Sequence, residues 1–505
     1  MSADQAVAPE PGERALQFGT PPGRWTILAT VLGSGIAALD ATVVGIALPA
    51  MGRQFHADVS SLQWVVTGYT LSLAGLLLLG GALGDRLGRR RMFIVGVGWF
   101  AAASFLCGVA PTSGFLVAGR ILQGIGGALL TPGSLAILQA SFVPEDRSRA
   151  IGAWSGFGGI ATAIGPFVGG WLIEAVSWRL VFYINLPLAA AVTLIAVRHV
   201  PESRDETVSG RIDWLGAALI TLGLVRVTYG LIQAGSSGWT SPMVLVALVA
   251  GALCIGLFLV VESRRAHPML PLDIFRSRQF AAANAVTLVV YGALGGGLFL
   301  LPVELQVVAG YSPIASGAAL LPVTFIMLFL SARSGALATR IGPRLQMSVG
   351  PLVVALGMAM LTMIGPSAGY FTTVLPGVLV FGLGLAITVA PLTSTVLAAA
   401  PAEHAGMASA VNNDVARAAG LIAVAVLPVA AGIRGRAYLD PIRLDHGFTI
   451  AVLIAAAMCA AGGLLAAATI RNPAKARRAE ELPQTGSHCA LEAPPLRTRV
   501  HQLQG

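Results

Sequence analysis

Apolar runs of about twenty residues or more, separated by short polar turns, recur along this whole sequence, and that recurrence decides the fold class. Fourteen are counted: about 25–50, 61–82, 92–111, 114–139, 150–173, 180–198, 212–233, 242–262, 281–304, 313–332, 346–365, 371–400, 405–433 and 447–470. A run of that length spans a hydrocarbon layer as a helix. Lipid offers backbone groups no water, so the only spanning structures are helices and closed barrels, and barrel strands are half as long. The expectation is an all-α polytopic membrane protein. Hydrophobic residues make up 55% of the 505 residues and charged residues 11%, which excludes a soluble domain.

The net charge of +9 suggests nucleic acid at first sight, but the positions of the charges exclude it. Most Lys and Arg fall in the tails and in alternate turns. The intervening turns hold only Arg53, Arg179, Arg434, Arg436 and Arg443, and Arg120, Arg226 and Arg417 lie inside runs. By the positive-inside rule both termini are expected in the cytoplasm, with the chain multi-pass in the plasma (inner) membrane. The four cysteines show neither a disulfide pattern nor metal spacing, so no metal and no cofactor are expected. No phosphate-binding loop of the Gly-x-x-x-x-Gly-Lys-Ser/Thr type occurs, which argues against an ATP-driven pump. No His/Glu or Ser/His constellation in the runs suggests an enzyme.

An internal repeat sets the layout. Gly81-Ala-Leu-Gly-Asp85-Arg86-Leu-Gly88-Arg89-Arg-Arg follows run 2, and Gly335-Ala-Leu-Ala-Thr339-Arg340-Ile-Gly342-Pro-Arg344 follows run 10. If those runs correspond, each half has six helices and two extra ones lie between. The expected organisation is a tail at 1–24, a six-helix bundle at 25–199, two extra helices with linkers at 200–280, a second bundle at 281–470 and a tail at 471–505. A basic cluster from Arg471 to Arg478 is expected against lipid head groups. Asp85, which the second copy replaces with Thr339, is either part of a topology anchor or a latch acting on a helix N-terminus of the other half. Gly81, Arg86, Gly88 and Arg89 would complete that latch.

Asp40 is the only ionisable group in run 1 and sits ~24 Å along it at ~1.5 Å per residue. A carboxylate at such depth costs roughly 2.5–3.5 kcal/mol on insertion scales, so a functional role is the default, and a structural acid tied to an Arg is the alternative. Gly33, Ala37, Asp40, Val44 and Ala47 share a face suited to close packing or to a cavity. Arg120 in run 4 lies within about one helical turn of the same depth. It is either a permanent partner of Asp40 or a group that promotes proton release when the two meet. Arg120, Gly124, Gly127 and Thr131 form a face for another helix. Run 5 carries Gly152, Gly156, Gly158, Gly159, Gly165, Pro166, Gly169 and Gly170, a density that permits backbone contact and bending in a membrane.

In the second half, Asp414 and Arg417 lie three apart on one helical face. They are either a self-neutralising pair or a second site that contacts a cationic drug or carries a proton. Glu304 sits near the end of run 9 and is expected at the interface rather than the centre, while Arg226 is expected as a structural partner within the extra pair.

Together these segments resemble the major facilitator superfamily, and within it the fourteen-span drug:proton antiporter family. Leu39 to Pro49 is similar to its first-helix signature, with Gly45 where Asn is usual. Gly81 to Arg91 is similar to its loop motif, with Gly84 for the common Ala. Arg120, Gln123, Gly124 and Gly126 match a helix motif whose Arg is linked to proton transfer. Gly152, Gly165, Pro166, Gly169 and Gly170 match the antiporter signature, with Ala161 replacing one Gly. Trp178 to Pro187, Asp213 to Gly216 and Gln306 to Pro322 are also family-like, so the likeness covers about residues 25–470. It implies proton-coupled export of amphipathic, cationic or antibiotic-like small molecules by a monomer through alternating access, with Asp40 gaining and losing the proton. The alternative is a proton-coupled transporter of a metabolite or nutrient.

Overall fold

The computed structural model describes residues 15–204, 213–265, 268, 270–400 and 405–472. Fourteen helices are long and apolar enough to cross a membrane. They are α1 (Pro21–Phe55), α2 (Val59–Leu87), α3 (Arg89–Gly108), α4 (Ser113–Ser141), α5 (Pro144–Ala175), α6 (Leu180–His199) and α7 (Trp214–Ser237). The rest are α8 (Pro242–Arg264), α9 (Arg278–Val307), α10 (Pro313–Ile341), α11 (Pro343–Leu361), α12 (Tyr370–Ala398), α13 (Met407–Ala430) and α14 (Pro441–Thr469). Among the described residues the only β pairing is a single bridge between Leu16 and Phe142.

Polar residues in the turns start these helices. The side chains of Thr20, Asp58, Thr112, Asp213, Ser277, Ser312 and Asp440 accept from first-turn N–H groups, which would otherwise be orphaned at the membrane edge. Glycines set how close the helices come. A Cβ at Gly96 or Gly126 would run into the backbone of the facing helix, so α3 and α4 touch main chain to main chain.

Helices α1–α6 pack on one another, as do α9–α14. The extra pair α7–α8 packs together and meets the rest chiefly through α7, against α2 and α13. Its ends are tied by Arg265 to Asp213 at 2.7 Å and by the Leu270 N–H to Glu262 at 2.9 Å. Arg226, expected as a structural partner in this pair, is instead exposed and makes no hydrogen bond or ion pair among the described residues. With an even number of spans, the start of α1 and the end of α14 share one end of the bundle, here the terminal end; the opposite one is the far end.

The repeated turn has one physical role in both halves. Gly88 (φ +109°) ends α2 and opens α3; Gly342 (φ +87°) does so between α10 and α11. In the first half Glu202, three residues beyond α6, accepts from the Arg90 and Arg91 N–H groups at 3.0 and 3.2 Å. In the second half Asn472, three residues beyond α14, accepts from the Arg344 N–H at 3.0 Å. Each bundle thus closes by its last segment capping its third helix. Lys475, Arg477 and Arg478 of the expected lipid-facing cluster lie outside the described residues.

Candidate functional site

The small-residue face of α1 resolves to close packing. Gly33 lies against the Phe93 ring, and Asp40, Val44 and Ala47 are buried within the first bundle. Arg120 reaches Asp40 from α4, the two forming an ion pair at 0–1% exposure. Gln123, one turn further along α4, donates from Nε2 to the other Asp40 oxygen at 2.8 Å and to the Ser104 hydroxyl at 2.8 Å. Asn185 from α6 donates to the same Asp40 oxygen and to Ser104, each at 3.2 Å. Arg120 also donates to Gln123 Oε1 at 2.6 Å and, from Nε, to the Val65 carbonyl of α2 at 3.0 Å. The carboxylate is held by a charge and two amides, drawn from α4 and α6. Such saturation is what a charge requires at this depth.

Of the two roles expected for the Asp40 face, close packing or a cavity, the carboxylate itself shows the first. Tyr69 separates it from a cavity: its ring lies 4.4 Å from the Arg120 guanidinium, its hydroxyl donates to the Ala37 carbonyl at 3.4 Å, and it lines that cavity, of about 360 Å³. Ala37, Ala38, Ala41 and Thr42 of α1, Thr131 and Trp154 form other parts of that wall. A second cavity of about 330 Å³ lies between the halves, reaching from Thr42 and Gly45 to Phe299 and Leu320. Arg417 lines both. A third cavity, about 960 Å³, sits apart at the terminal end among α9, α10, α12 and α14.

The remaining expected residues distribute as follows. Gly124 and Gly127 let α4 ride on α2, meeting Ser72 and Tyr69. Gly165 and Gly169 of α5 abut Thr42 and Val43, holding α1 on either side of the Asp40 turn. Gly170 meets the Pro313 and Ile314 backbone and the Pro166 carbonyl meets Gly317, so the same segment touches α10 of the second bundle. Gly152 is exposed with open space around it and packs nothing. Asp414 and Arg417 form no ion pair; Asp414 Oδ1 and Arg417 Nε are both buried without partners among the described residues. Glu304 sits three residues from the end of α9. It is fully buried, and neither of its carboxylate oxygens has a hydrogen-bond partner among the described residues.

Asp85 pairs with Arg89 on its own turn at 2.8 Å and reaches no helix of the other half. Gly81 packs near Pro132, and the buried Arg86 Nε is unpartnered. The anion that caps α3 is Glu202, which the sequence reading missed.

The halves are closed on each other at the far end. Gln63 donates to the Val424 and Ala425 carbonyls at 2.7 and 3.1 Å, Gln306 to Ile46 at 3.0 Å, and Arg436 to His56 at 2.9 Å. The Val59 N–H donates to Gly435 at 2.8 Å. The Tyr438 hydroxyl donates to Ala57 at 2.8 Å; burial pushes that phenol up to about 12, so it stays a donor. At the terminal end, no hydrogen bond or ion pair joins α1–α6 to α9–α14 among the described residues.

The sequence model of the Major Facilitator Superfamily matches residues 30–425. A tetracenomycin C resistance and export protein of Streptomyces glaucescens is 37% identical over 404 residues, 80% of this chain and 75% of that one. A puromycin resistance protein of Streptomyces alboniger is 35% identical over 512 residues, 98% of this chain and all of that one. An actinorhodin transporter, named as probable, of Streptomyces coelicolor is 36% identical over 438 residues, covering 84% and 75%. Among solved structures, a peptide transporter in complex with sulfate superposes with a TM-score of 0.66 at 16% identity, covering 91% of this chain and 98% of that one. At that identity the likeness shows the fold alone.

Proposed function

Since the chain belongs to the major facilitator superfamily, we propose that it exports amphipathic, antibiotic-like small molecules across the plasma membrane in exchange for protons. Its curated relatives are antibiotic resistance and export proteins, which supports efflux. The observation that carries the coupling is the buried Asp40–Arg120 pair with its Gln123 and Asn185 donors, set behind Tyr69 beside the cavity between the halves.

Both termini lie in the cytoplasm on this reading, the far end is extracellular, and the conformation described faces inward. A monomer suffices, its two bundles rocking about the contacts of α5 with α10. Asp40 is paired with Arg120 here, as befits the state that has released its proton inward. When the halves rock, a proton arriving from outside passes Tyr69 and neutralises Asp40. The ion pair with Arg120 is then lost, and α1 is free to shift on α4. Asp85 serves as a latch only in the opposite conformation, when the terminal ends of the bundles meet. Each pH unit supplies about 1.4 kcal/mol per proton and each 100 mV about 2.3 kcal/mol per charge. Either sustains a tenfold or steeper substrate gradient.

Inside-out vesicles decide direction. An acid interior should drive an amphipathic dye into vesicles holding the protein, and a protonophore should abolish the uptake. Dye leaving such vesicles down the proton gradient would mean symport and a nutrient or metabolite transporter instead.

A further inference from the structure

The two cavities between the bundles share one cationic side chain. Arg417 lines both from α13, and among the described residues no Asp or Glu lines either. Its Nε is shut from solvent without a partner, and no hydrogen bond or ion pair engages Arg417 among the described residues. Asp414, one turn earlier, lies beyond ion-pair distance, its Oδ1 likewise buried without a partner among the described residues. The other charges behind the wall, Asp40 and Arg120, neutralise each other.

Most of the neutral donors in the lining are already engaged, the Thr131 hydroxyl being an uncharged exception. Thr42 gives its hydroxyl hydrogen to the Leu39 carbonyl at 2.9 Å and Thr70 gives its own to Val66 at 3.2 Å. Tyr69 donates to Ala37 and Trp154 to the Ser34 hydroxyl at 3.0 Å. Arg417 is thus the strongest donor facing the space, with a planar fork suited to paired oxygens. A guanidinium with no ion-pair partner in a low-dielectric wall favours an anion and repels a cation.

From these observations we infer that the substrate carries an anionic oxygen group, such as a carboxylate, enolate or phenolate, on an amphipathic scaffold, and that Arg417 binds it. The sequence pointed to a cation contacted by Asp414; the cavity wall has the opposite sign. Leu73, Trp154 and Phe299 supply apolar surface for the scaffold, and the volumes suit one drug-sized molecule. This rests on the export reading for its biological meaning but not for its test, which needs no gradient.

Equilibrium binding to the purified full-length protein in nanodiscs tests it, with two xanthene dyes of opposite charge, fluorescein and rhodamine 6G, followed by fluorescence anisotropy at neutral pH. The expected result is tighter binding of fluorescein, weakened about tenfold or more in Arg417→Gln and held within about threefold in Arg417→Lys. Rhodamine 6G should bind Arg417→Gln at least as well as the unaltered protein. Tighter binding of the cationic dye, with fluorescein affinity unchanged in Arg417→Gln, would overturn the inference. So would equal loss of both dyes in Arg417→Gln together with a lowered melting temperature, which would make Arg417 a structural residue. Failure of proton-driven transport alongside charge-selective binding would count against export and leave the substrate class standing.

Discussion

The two six-helix halves are built on one plan and differ in what they bury. Both cap their third helix with the segment after their sixth, through Glu202 in one and Asn472 in the other. Both turn on a glycine of positive φ at Gly88 and Gly342. Yet the first half buries a charged cluster, Asp40–Arg120 with Gln123, Ser104 and Asn185. The second buries Glu304 and atoms of Asp414 and Arg417 without an ion pair among the described residues, and joins its helices through neutral groups. Asn412 donates to Asn284 at 3.1 Å and to Thr287 at 2.8 Å, and Gln346 donates to the Ser334 hydroxyl at 2.9 Å. The second half holds together without such a pair, so packing alone does not demand one. A buried acid beside its counter-ion is what the proposed proton coupling needs, and the first half contains one.

Substitutions that convert one half toward the other sharpen or break this contrast. The largest effect is expected from Arg120→Ala. It strands Asp40 among buried groups, which costs about 3–5 kcal/mol when one partner of a buried pair is removed. Proton-driven transport should fall to background and the melting temperature should drop. Arg120→Lys keeps the charge and loses the fork that serves Asp40, Gln123 and Val65, so transport should fall about tenfold with a displaced pH profile. A normal rate and pH profile in that variant would leave Arg120 a packing residue. Gly169→Val presses new methyl groups on Val43 of α1, and overpacking costs typically about 1–3 kcal/mol. It should slow transport more than it lowers the melting temperature, because α1 and α5 must move on each other. The smallest effect belongs to the second half. Asn412→Ala removes two amide bonds, about 1 kcal/mol of stability, and should leave the pH profile in place.

The spans were legible in the sequence because lipid leaves an apolar run of twenty residues one conformation. Their ends were less so. Run 10, read as 313–332, continues as helix to Ile341 and carries Arg333 and Arg340 with it, since long cationic side chains near a membrane surface do not stop a helix. The meeting of Asp40 and Arg120 followed from matched depths. The donors Gln123 and Asn185 were visible as motif residues, but nothing in one sequence says that uncharged amides on α4 and α6 converge on the same carboxylate. Tyr69 as the wall between Asp40 and the cavity could not be read either, because an aromatic residue in an apolar run usually packs in a core. The burial of Glu304 was equally hidden, because a position near a helix end does not say which side chains cover it. A polar residue three positions past the sixth helix of each half was the signal that would have found Glu202 and Asn472.

The central claim is that Asp40 alternates between charged and neutral once per cycle, and Asp40→Asn tests it most directly because it fixes the neutral state without emptying the site. Proteoliposomes bearing this variant should exchange labelled for unlabelled substrate at a rate near that of the unaltered protein, since exchange needs no net proton movement. They should fail to accumulate substrate when a pH gradient is imposed. Accumulation driven by the gradient in Asp40→Asn would contradict the account, placing the coupling proton on a different residue.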